Sequence, residues 1–242
     1  MKKDFKIAAL IIGRGNNTLA DKNILKVNGK PLLQWGGFAA KASEHIKLFY
    51  ISSDDKKILD AGQEIGYTPI TRPESLALPT SQSSDAVKHA LQIIEAKEGD
   101  IDVLIVIHAN VGTISTKMID DCISILINSG ATAVIPSHYK YEYHPRRSKR
   151  VLEDGTLSNF IGGNNEYVSA NRQDLEECVF FDHSFWVLDV RNGVKSTNGQ
   201  YPWPVMGNKI IPYITEGCFD VHDVDDLKKT EDWLVKNNIN YS

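Results

Sequence analysis

Cysteine is scarce in this chain. Cys122, Cys178 and Cys218 are the three present, and no two of them stand in a C-x-x-C spacing. That argues against a disulfide framework or a cysteine zinc site and points to a reducing, cytoplasmic setting. Long apolar runs are missing too. The run Ile7 to Ile12, just after Met1-Lys2-Lys3-Asp4, is too short for a secretory h-region or a bilayer span, so no leader and no membrane association are expected. Nor is there an excess of positive charge: the formal net charge is −4, which offers no general attraction to nucleic acid or anionic lipid. Any anion must therefore be held by a local cluster. What remains is an ordinary globular balance, 42% hydrophobic and 24% charged over 242 residues, enough chain to bury a core without cross-links.

The order of patterns is regular over the first half. Phe5–Ile12 reads as a buried strand that Gly13-Arg14-Gly15-Asn16-Asn17 interrupts at once. Pro31–Glu44 has helical apolar spacing, Ile46–Ile51 reads as the next strand, and Ser53-Asp54-Asp55 caps a helix to about Ile65. Tyr67–Thr71, Val103–Ile107 and Ala131–Pro136 read as strands, with helices at Asp85–Ala96 and Thr116–Asn128 between them. This alternation predicts an α/β fold, a Rossmann-like and mostly parallel sheet with helices on both faces. In such sheets ligands bind beyond the carboxyl ends of the strands. The rhythm breaks at about Tyr139, where a polar excursion over about 139–178 carries Tyr139, Tyr141 and Tyr143, a basic run and Gly162-Gly163-Asn164-Asn165. Val179–Val190 then reads as one long strand, Lys209–Ile214 as a short one and Val224–Lys236 as a closing helix. One domain spanning 1–242 accommodates all of this.

The loop after the first strand holds the first candidate site. Gly13-Arg14-Gly15-Asn16-Asn17-Thr18 lies upstream of Lys22-Asn23; glycines let backbone amides approach phosphate oxygens, and the arginine and lysine neutralise their charge. It is neither G-x-x-x-x-G-K-[ST] nor a complete G-x-G-x-x-G, which argues against a P-loop ATPase and a standard dinucleotide fold. A tight turn with a solvated arginine is the plainer alternative.

Arg14-Gly15, then Asp21-Lys22-Asn23-Ile24, then Asn28-Gly29-Lys30-Pro31-Leu32 resembles the opening of the CMP-sialic acid synthetase (acylneuraminate cytidylyltransferase) family, and more distantly the CMP-Kdo synthetases. The similarity continues through Ser52-Ser53-Asp54-Asp55, Arg72-Pro73-Glu74-Ser75-Leu76-Ala77 and Ser83-Ser84, and returns at Phe219-Asp220-Val221-His222. The resemblance implies a nucleotide-diphospho-sugar transferase-like fold and CTP as substrate. It implies triphosphate contacts from Gly13, Arg14, Gly15 and Lys22, with Asn23 near the nucleotide sugar. Arg72 and Ser83 or Ser84 would read cytosine, whose edge offers O2 and N3 as acceptors and N4 as donor. A surface arginine and an N-cap serine are the plainer alternatives. It further implies a Mg²⁺ cofactor on Asp220 and on the position that is His222 here, with Asp223, Asp225 or Asp226 as possible substitutes for an imidazole that suits magnesium poorly. Asp225 and Asp226 also suit the first turn of the last helix.

The acceptor side departs from the family. Ile107-His108-Ala109-Asn110 stands where the family has L-Q-P-T, and Asp182-His183-Ser184 replaces its N-G. His108, Asn110 and His183 are the acceptor-contact candidates, His108 also as a base. His144-Pro145-Arg146-Arg147-Ser148-Lys149-Arg150 is read either as a solvated run or as an anion clamp through Arg146 and Arg147. In the resembled family this segment crosses a two-fold axis, which implies a homodimer. The expected function is CMP transfer from CTP to a small acidic acceptor, a sialic-acid-like nonulosonic sugar acid for surface polysaccharide. The alternatives are a phosphate- or phosphonate-bearing acceptor, a metal-dependent glycosyltransferase, and a nucleotide-binding relative without catalysis.

Overall fold

The computed structural model describes residues 5–15 and 18–241; Asn16 and Asn17 of the glycine loop, with Met1–Asp4 and Ser242, lie outside the described residues. Strand β1 (Ile7–Ile12) is apolar at all six positions and buried at all six, as a strand covered on both faces must be. It pairs in parallel with β2 (Leu48–Ser53) on one side and with β4 (Val103–His108) on the other, while β3 (Thr68–Thr71) extends the sheet beyond β2. The sheet has eight strands among the described residues. Its second half is built on β5 (Ala133–Tyr139), which carries β8 (Ile210–Ile214) in parallel on one edge. The other edge of β5 takes two short antiparallel strands in succession, β6 (Val179–Phe181) and β7 (Phe185–Asp189), and β7 also pairs with β4. Two parallel blocks are thus joined through an antiparallel strand.

Helices cover both faces. On one face α1 (Leu32–Lys41), α2 (Lys56–Glu64) and α4 (Thr116–Ser129) bury Leu33, Ile58 and Ile123 against Ile7, Ala9 and Ile11. On the other, α3 (Ser83–Glu98) buries Val87, Leu91 and Ile94 against Ala8, Leu10 and Trp186. Each such aliphatic side chain contributes about 1.5–3 kcal/mol by leaving water. The last helix, α5 (Val224–Lys236), closes a smaller cluster in which Leu234 meets Val27, Leu32, Trp35 and Val221. No helix among the described residues is long and apolar enough to cross a membrane.

Three expectations shift. The predicted strand Val179–Val190 is two strands, because Asp182-His183-Ser184 kinks it and His183 adopts a left-handed backbone with φ 51°. Pro31 belongs to a strand rather than to the first helix: Lys26–Val27 and Lys30–Pro31 form a hairpin, and the helix begins at Leu32. The second strand starts two residues later than predicted, at Leu48. Between β5 and β6 the chain leaves the sheet for short helical turns at Tyr141–Tyr143 and Pro145–Arg147 and a hairpin of Lys149–Val151 with Leu157–Asn159. Val151, Leu157, Phe160, Ile161 and Tyr167 are exposed along it.

The Asn28-Gly29 turn is a clean test of backbone strain. Both residues have positive φ, 47° and 81°, as a type I′ hairpin requires, and a Cβ on Gly29 would meet nothing within 4 Å. Gly29→Ala should therefore cost about 1–2 kcal/mol from left-handed strain alone, measured by urea unfolding, with Asn28→Gly close to neutral.

Candidate functional site

The first and fourth strands end side by side, with Ile12 opposite His108, and the chain departs from them to opposite ends of the same crevice. A cavity of about 370 Å³ opens there, and Gly13, Arg14, Lys22, Asn23, Arg72, Ser83, His108 and Asn110 all line it. Eight of the residues singled out in the sequence are thus brought together from five separate segments.

Gly13 fits because it has no side chain: a Cβ there would lie 2.7 Å from the Ala109 Cβ. Gly15 is equally confined, 2.7 Å from Asp55 Oδ2, and its N–H donates to Asp54 Oδ1 at 3.1 Å. Asp54 therefore braces the loop while Asp55 caps α2 by accepting from Lys57 N–H. Asn23 is buried and donates through Nδ2 to the Arg14 carbonyl at 3.0 Å, so it holds the loop's backbone. Arg14 Nη1 donates to the Leu78 carbonyl at 3.0 Å, and Lys22 Nζ to the Val221 carbonyl at 3.1 Å, which spans the cavity mouth.

Arg72 is the least expected member energetically, since it is 6% exposed. Its Nη2 donates to the Ser52 carbonyl at 2.7 Å and its Nε to Ser52 Oγ at 3.3 Å. Burial lowers its pKa to about 10, Asp54 opposing and Arg14 assisting. The alternative of a surface arginine is overturned. Ser83 lines the cavity, whereas Ser84 does not. Nor is Ser84 a helix cap: the N-cap position is Gln82, and Ser84 Oγ is buried with no hydrogen-bond partner among the described residues.

Asp220 does not itself line that cavity; it lies against Asn110, which does. It forms an antiparallel bridge with Val111, its Oδ1 accepts from Asn110 Nδ2, and Val221 N–H donates to the Asn110 carbonyl at 3.1 Å. Burial pushes the Asp220 carboxyl above its ordinary value, while His222, Lys22 and Asn110 pull it partway back. His222 stands with Nε2 3.6 Å from Asp220 Oδ2 and is largely exposed. Asp223 and Asp226 do not join it. Asp223 caps α5 by accepting from Asp226 N–H at 3.0 Å, and Asp226 accepts from His222 N–H and pairs with Lys229. Among the described residues no three His, Cys, Asp or Glu side chains gather as a metal cage. The oxygen donor available there is the Asp220 carboxylate, next to Asn110 at the edge of a cavity that Arg14 and Lys22 line; one carboxylate with substrate oxygens is a donor set that magnesium can use.

His108 is packed edge-on against Trp186 at 4.7 Å, and its Nε2 has no hydrogen-bond partner among the described residues. Burial, with a smaller push from His183, lowers its pKa to about 3. The ring is therefore neutral at physiological pH and only weakly basic, well below the pKa that suits a general base there. His183 lies 6.3 Å from His108 between ring centroids and 4.5 Å from Trp203; burial lowers its pKa too, Asp220 and Asp182 opposing. Trp186, Trp203 and Asp54 are the site neighbours that residue-type reasoning missed; periodicity marks the two tryptophans only as apolar positions.

Arg146 and Arg147 do not line this cavity. They line a separate groove in the excursion, where Arg146 pairs with Glu166 and Arg147 donates to the Ala170 carbonyl. Lys149 donates to Asn159, and Arg150 covers the Phe160 ring at 5.2 Å. Within one chain the basic run is structural.

Residues 8–160 match the sequence profile of a family described as cytidylyltransferase. An N-acylneuraminate cytidylyltransferase from Escherichia coli O18:K1:H7 (strain RS218 / NMEC) is 35% identical over 89 residues, 36% of this chain and 21% of that protein. The chain thus aligns with only about a fifth of that relative's length. A pseudaminic acid cytidylyltransferase from Campylobacter jejuni subsp. jejuni serotype O:23/36 (strain 81-176) is 22% identical over 173 residues, 71% of this chain and 73% of that protein. Among solved structures, a CMP:2-keto-3-deoxy-manno-octonic acid synthetase complexed with CTP superposes with a TM-score of 0.66 at 12% identity, covering 96% of this chain and 99% of that one. A 4-diphosphocytidyl-2C-methyl-D-erythritol synthase from Anaerococcus prevotii DSM 20548 follows at 0.62 and 10% identity, covering 96% and 97%. These likenesses establish the expected fold.

The Asn110 hydrogen bond favours the ionised form of Asp220 and so holds its pKa down. Removing the donor in Asn110→Leu should move the Asp220 titration to higher pH, read directly by carboxyl ¹³C NMR. An unchanged titration would mean that the contact carries no charge stabilisation.

Proposed function

Since the chain belongs to the cytidylyltransferase family, we propose that it transfers CMP from CTP to a small acidic acceptor and releases pyrophosphate. The carrying observation is the buried Arg72, desolvated and anchored on Ser52 in the same cavity as Ser83, Gly13 and Arg14. A guanidinium and a hydroxyl complement the O2, N3 and N4 edge of cytosine. Arg14 and Lys22 lie in the same cavity, suited to the phosphates.

In this reading an acceptor oxygen attacks the α-phosphorus of CTP in line. The bond from that phosphorus to the bridging oxygen breaks, and pyrophosphate leaves with the electron pair. The acceptor's proton passes to solvent. Positioning and charge stabilisation carry the step, with no covalent protein intermediate. Asp220 would hold Mg²⁺ together with phosphate oxygens, and the ion would supply neutralising charge for the departing pyrophosphate. Arg14 and Lys22 stabilise that same charge, and His108, Asn110 and His183 contact the acceptor as neutral groups. The acceptor is a sialic-acid-like sugar acid; the names of the two relatives, which specify N-acylneuraminate and pseudaminic acid, support this class. A cytosolic setting is part of the proposal, supported by three cysteines that are all unpaired.

CTP should raise the melting temperature more than UTP, ATP or GTP, and Arg72→Ala should remove the preference. With CTP, Mg²⁺ and a panel of sugar acids, pyrophosphate release should fall about a hundredfold or more in Asp220→Asn, because one preorganised charge contact is worth about 3 kcal/mol in such a step. Equal stabilisation by all four nucleotides would remove the CTP assignment. CTP binding with no turnover on any acceptor would favour a relative without catalysis.

We further propose a homodimer in which the excursion reaches the partner, supported by the exposed Val151, Leu157, Phe160, Ile161 and Tyr167 on one projecting segment. Sedimentation should give a dimer at micromolar concentration, and Leu157→Lys with Phe160→Lys should shift it to monomer. A wild-type monomer would sink this reading.

A further inference from the structure

Asp182 sits in the kink between β6 and β7, and its side chain is completely buried. Its two carboxylate oxygens are both engaged: Oδ1 accepts from His138 Nδ1 and Oδ2 from the Thr215 hydroxyl. Its backbone is engaged as well, the N–H donating to the Pro136 carbonyl at 2.8 Å and the carbonyl accepting the Cys218 thiol. One residue therefore ties together the end of β5, the kink and the loop that leaves β8. Gly217 N–H donates back to Thr215 Oγ1 at 3.0 Å, and Phe219 N–H donates to the buried Thr113 Oγ1 at 3.2 Å. The next residue along that loop is Asp220, and the next residue along the kink is His183, turned by its φ of 51°.

A buried carboxylate hydrogen-bonded to a histidine is a poor device for stability, because desolvation offsets most of what the contact returns. An apolar side chain would serve the core as well. What the arrangement does supply is a single geometry, since both carboxylate oxygens and the backbone N–H and carbonyl of Asp182 are each engaged by a partner on a different segment. That geometry is set two residues from Asp220 through Cys218 and five residues from it through Thr215.

We propose that Asp182 is a positioning residue. Through Thr215 and His138 it fixes the loop from Thr215 to Asp220, so that the Asp220 carboxylate is presented to the substrate phosphates. Its place in the kink also sets His183 beside His108. The proposal rests on the reading of Asp220 given above, and it concerns how that carboxylate is held, not what it binds.

Thr215→Val removes one hydroxyl with little change of shape, Thr215→Ser keeps the hydroxyl, and Asp182→Asn weakens both acceptors. Two quantities are read on the full-length protein: amide hydrogen exchange of residues 216–221 without nucleotide, and kcat against CTP KM in Mg²⁺-dependent pyrophosphate release. Thr215→Val should speed exchange there and lower kcat, each about tenfold, while leaving CTP KM unchanged; Thr215→Ser should stay near wild type. Asp182→Asn should move both in the same direction, and if it fails to fold the Thr215 pair decides alone. Wild-type exchange and kcat in Thr215→Val would overturn the proposal, as would fast exchange with unchanged kcat or an equal loss in Thr215→Ser. Full turnover by Asp220→Asn would instead overturn the reading of Asp220. It is told apart because exchange of 216–221 would remain slow in that variant.

Discussion

The rest of this site depends on the approach of two backbones, those leaving β1 and β4. Gly13 lies where a methyl group would strike the Ala109 Cβ, so the two strand ends meet without a side chain between them. That contact lets the chain turn at Gly13, puts the Arg14 carbonyl within reach of Asn23, and leaves the Arg14 side chain facing Leu78 across the cavity. A larger residue at 13 would push apart the sheet's switch point itself. The cavity's location is therefore a consequence of strand order and its width a consequence of one missing side chain.

Within that frame, an acidic chain concentrates positive charge where it has no internal need of it. Arg72 is buried at a cost in desolvation, with Arg14 adding to the cost and Asp54 relieving part of it. Asp220 shows the mirror imbalance, a carboxylate raised by burial and only partly compensated by His222, Lys22 and Asn110. In the proposed function Arg72 would meet the cytosine edge and Asp220 the cation that accompanies the phosphates, so that each buried charge would gain a partner with the substrate bound.

What the sequence revealed and what it hid divide along contact distance. The alternation of apolar runs and helical spacing placed β1, β4 and α3, because each is defined by local periodicity. Gly13 and His108, at the ends of β1 and β4, followed from that placement, whereas Arg72 and Ser83 came from the resemblance. The kink at Asp182-His183-Ser184 was hidden because apolar residues resume in step on both sides, so Val179–Val190 reads as one strand. Its cause is a buried carboxylate with partners 44 and 33 residues away. The bond between Asn110 and Asp220 spans 110 residues, beyond any spacing rule. The basic run has contacts of the same hidden kind: Glu166, Asn159 and two backbone carbonyls engage its four positive charges within the chain.

The same division explains how such a site can hold one substrate fixed and change another. The nucleotide wall is made from strand ends and the first turns of helices, where any displacement must move the sheet. The acceptor wall of the proposed function would be made from the kink, the loop from Thr215 to Asp220 and the start of α5, joined by side-chain hydrogen bonds and a few backbone contacts rather than by a continuous strand ladder. Substitutions on this second wall alter shape without touching the sheet's register, and this is where the chain departs most from the family it resembles, at His108, Asn110 and Asp182-His183-Ser184. The two walls meet directly at the Asn110–Asp220 contact. In the proposed function that hydrogen bond would carry a change in acceptor shape to the Asp220 carboxylate.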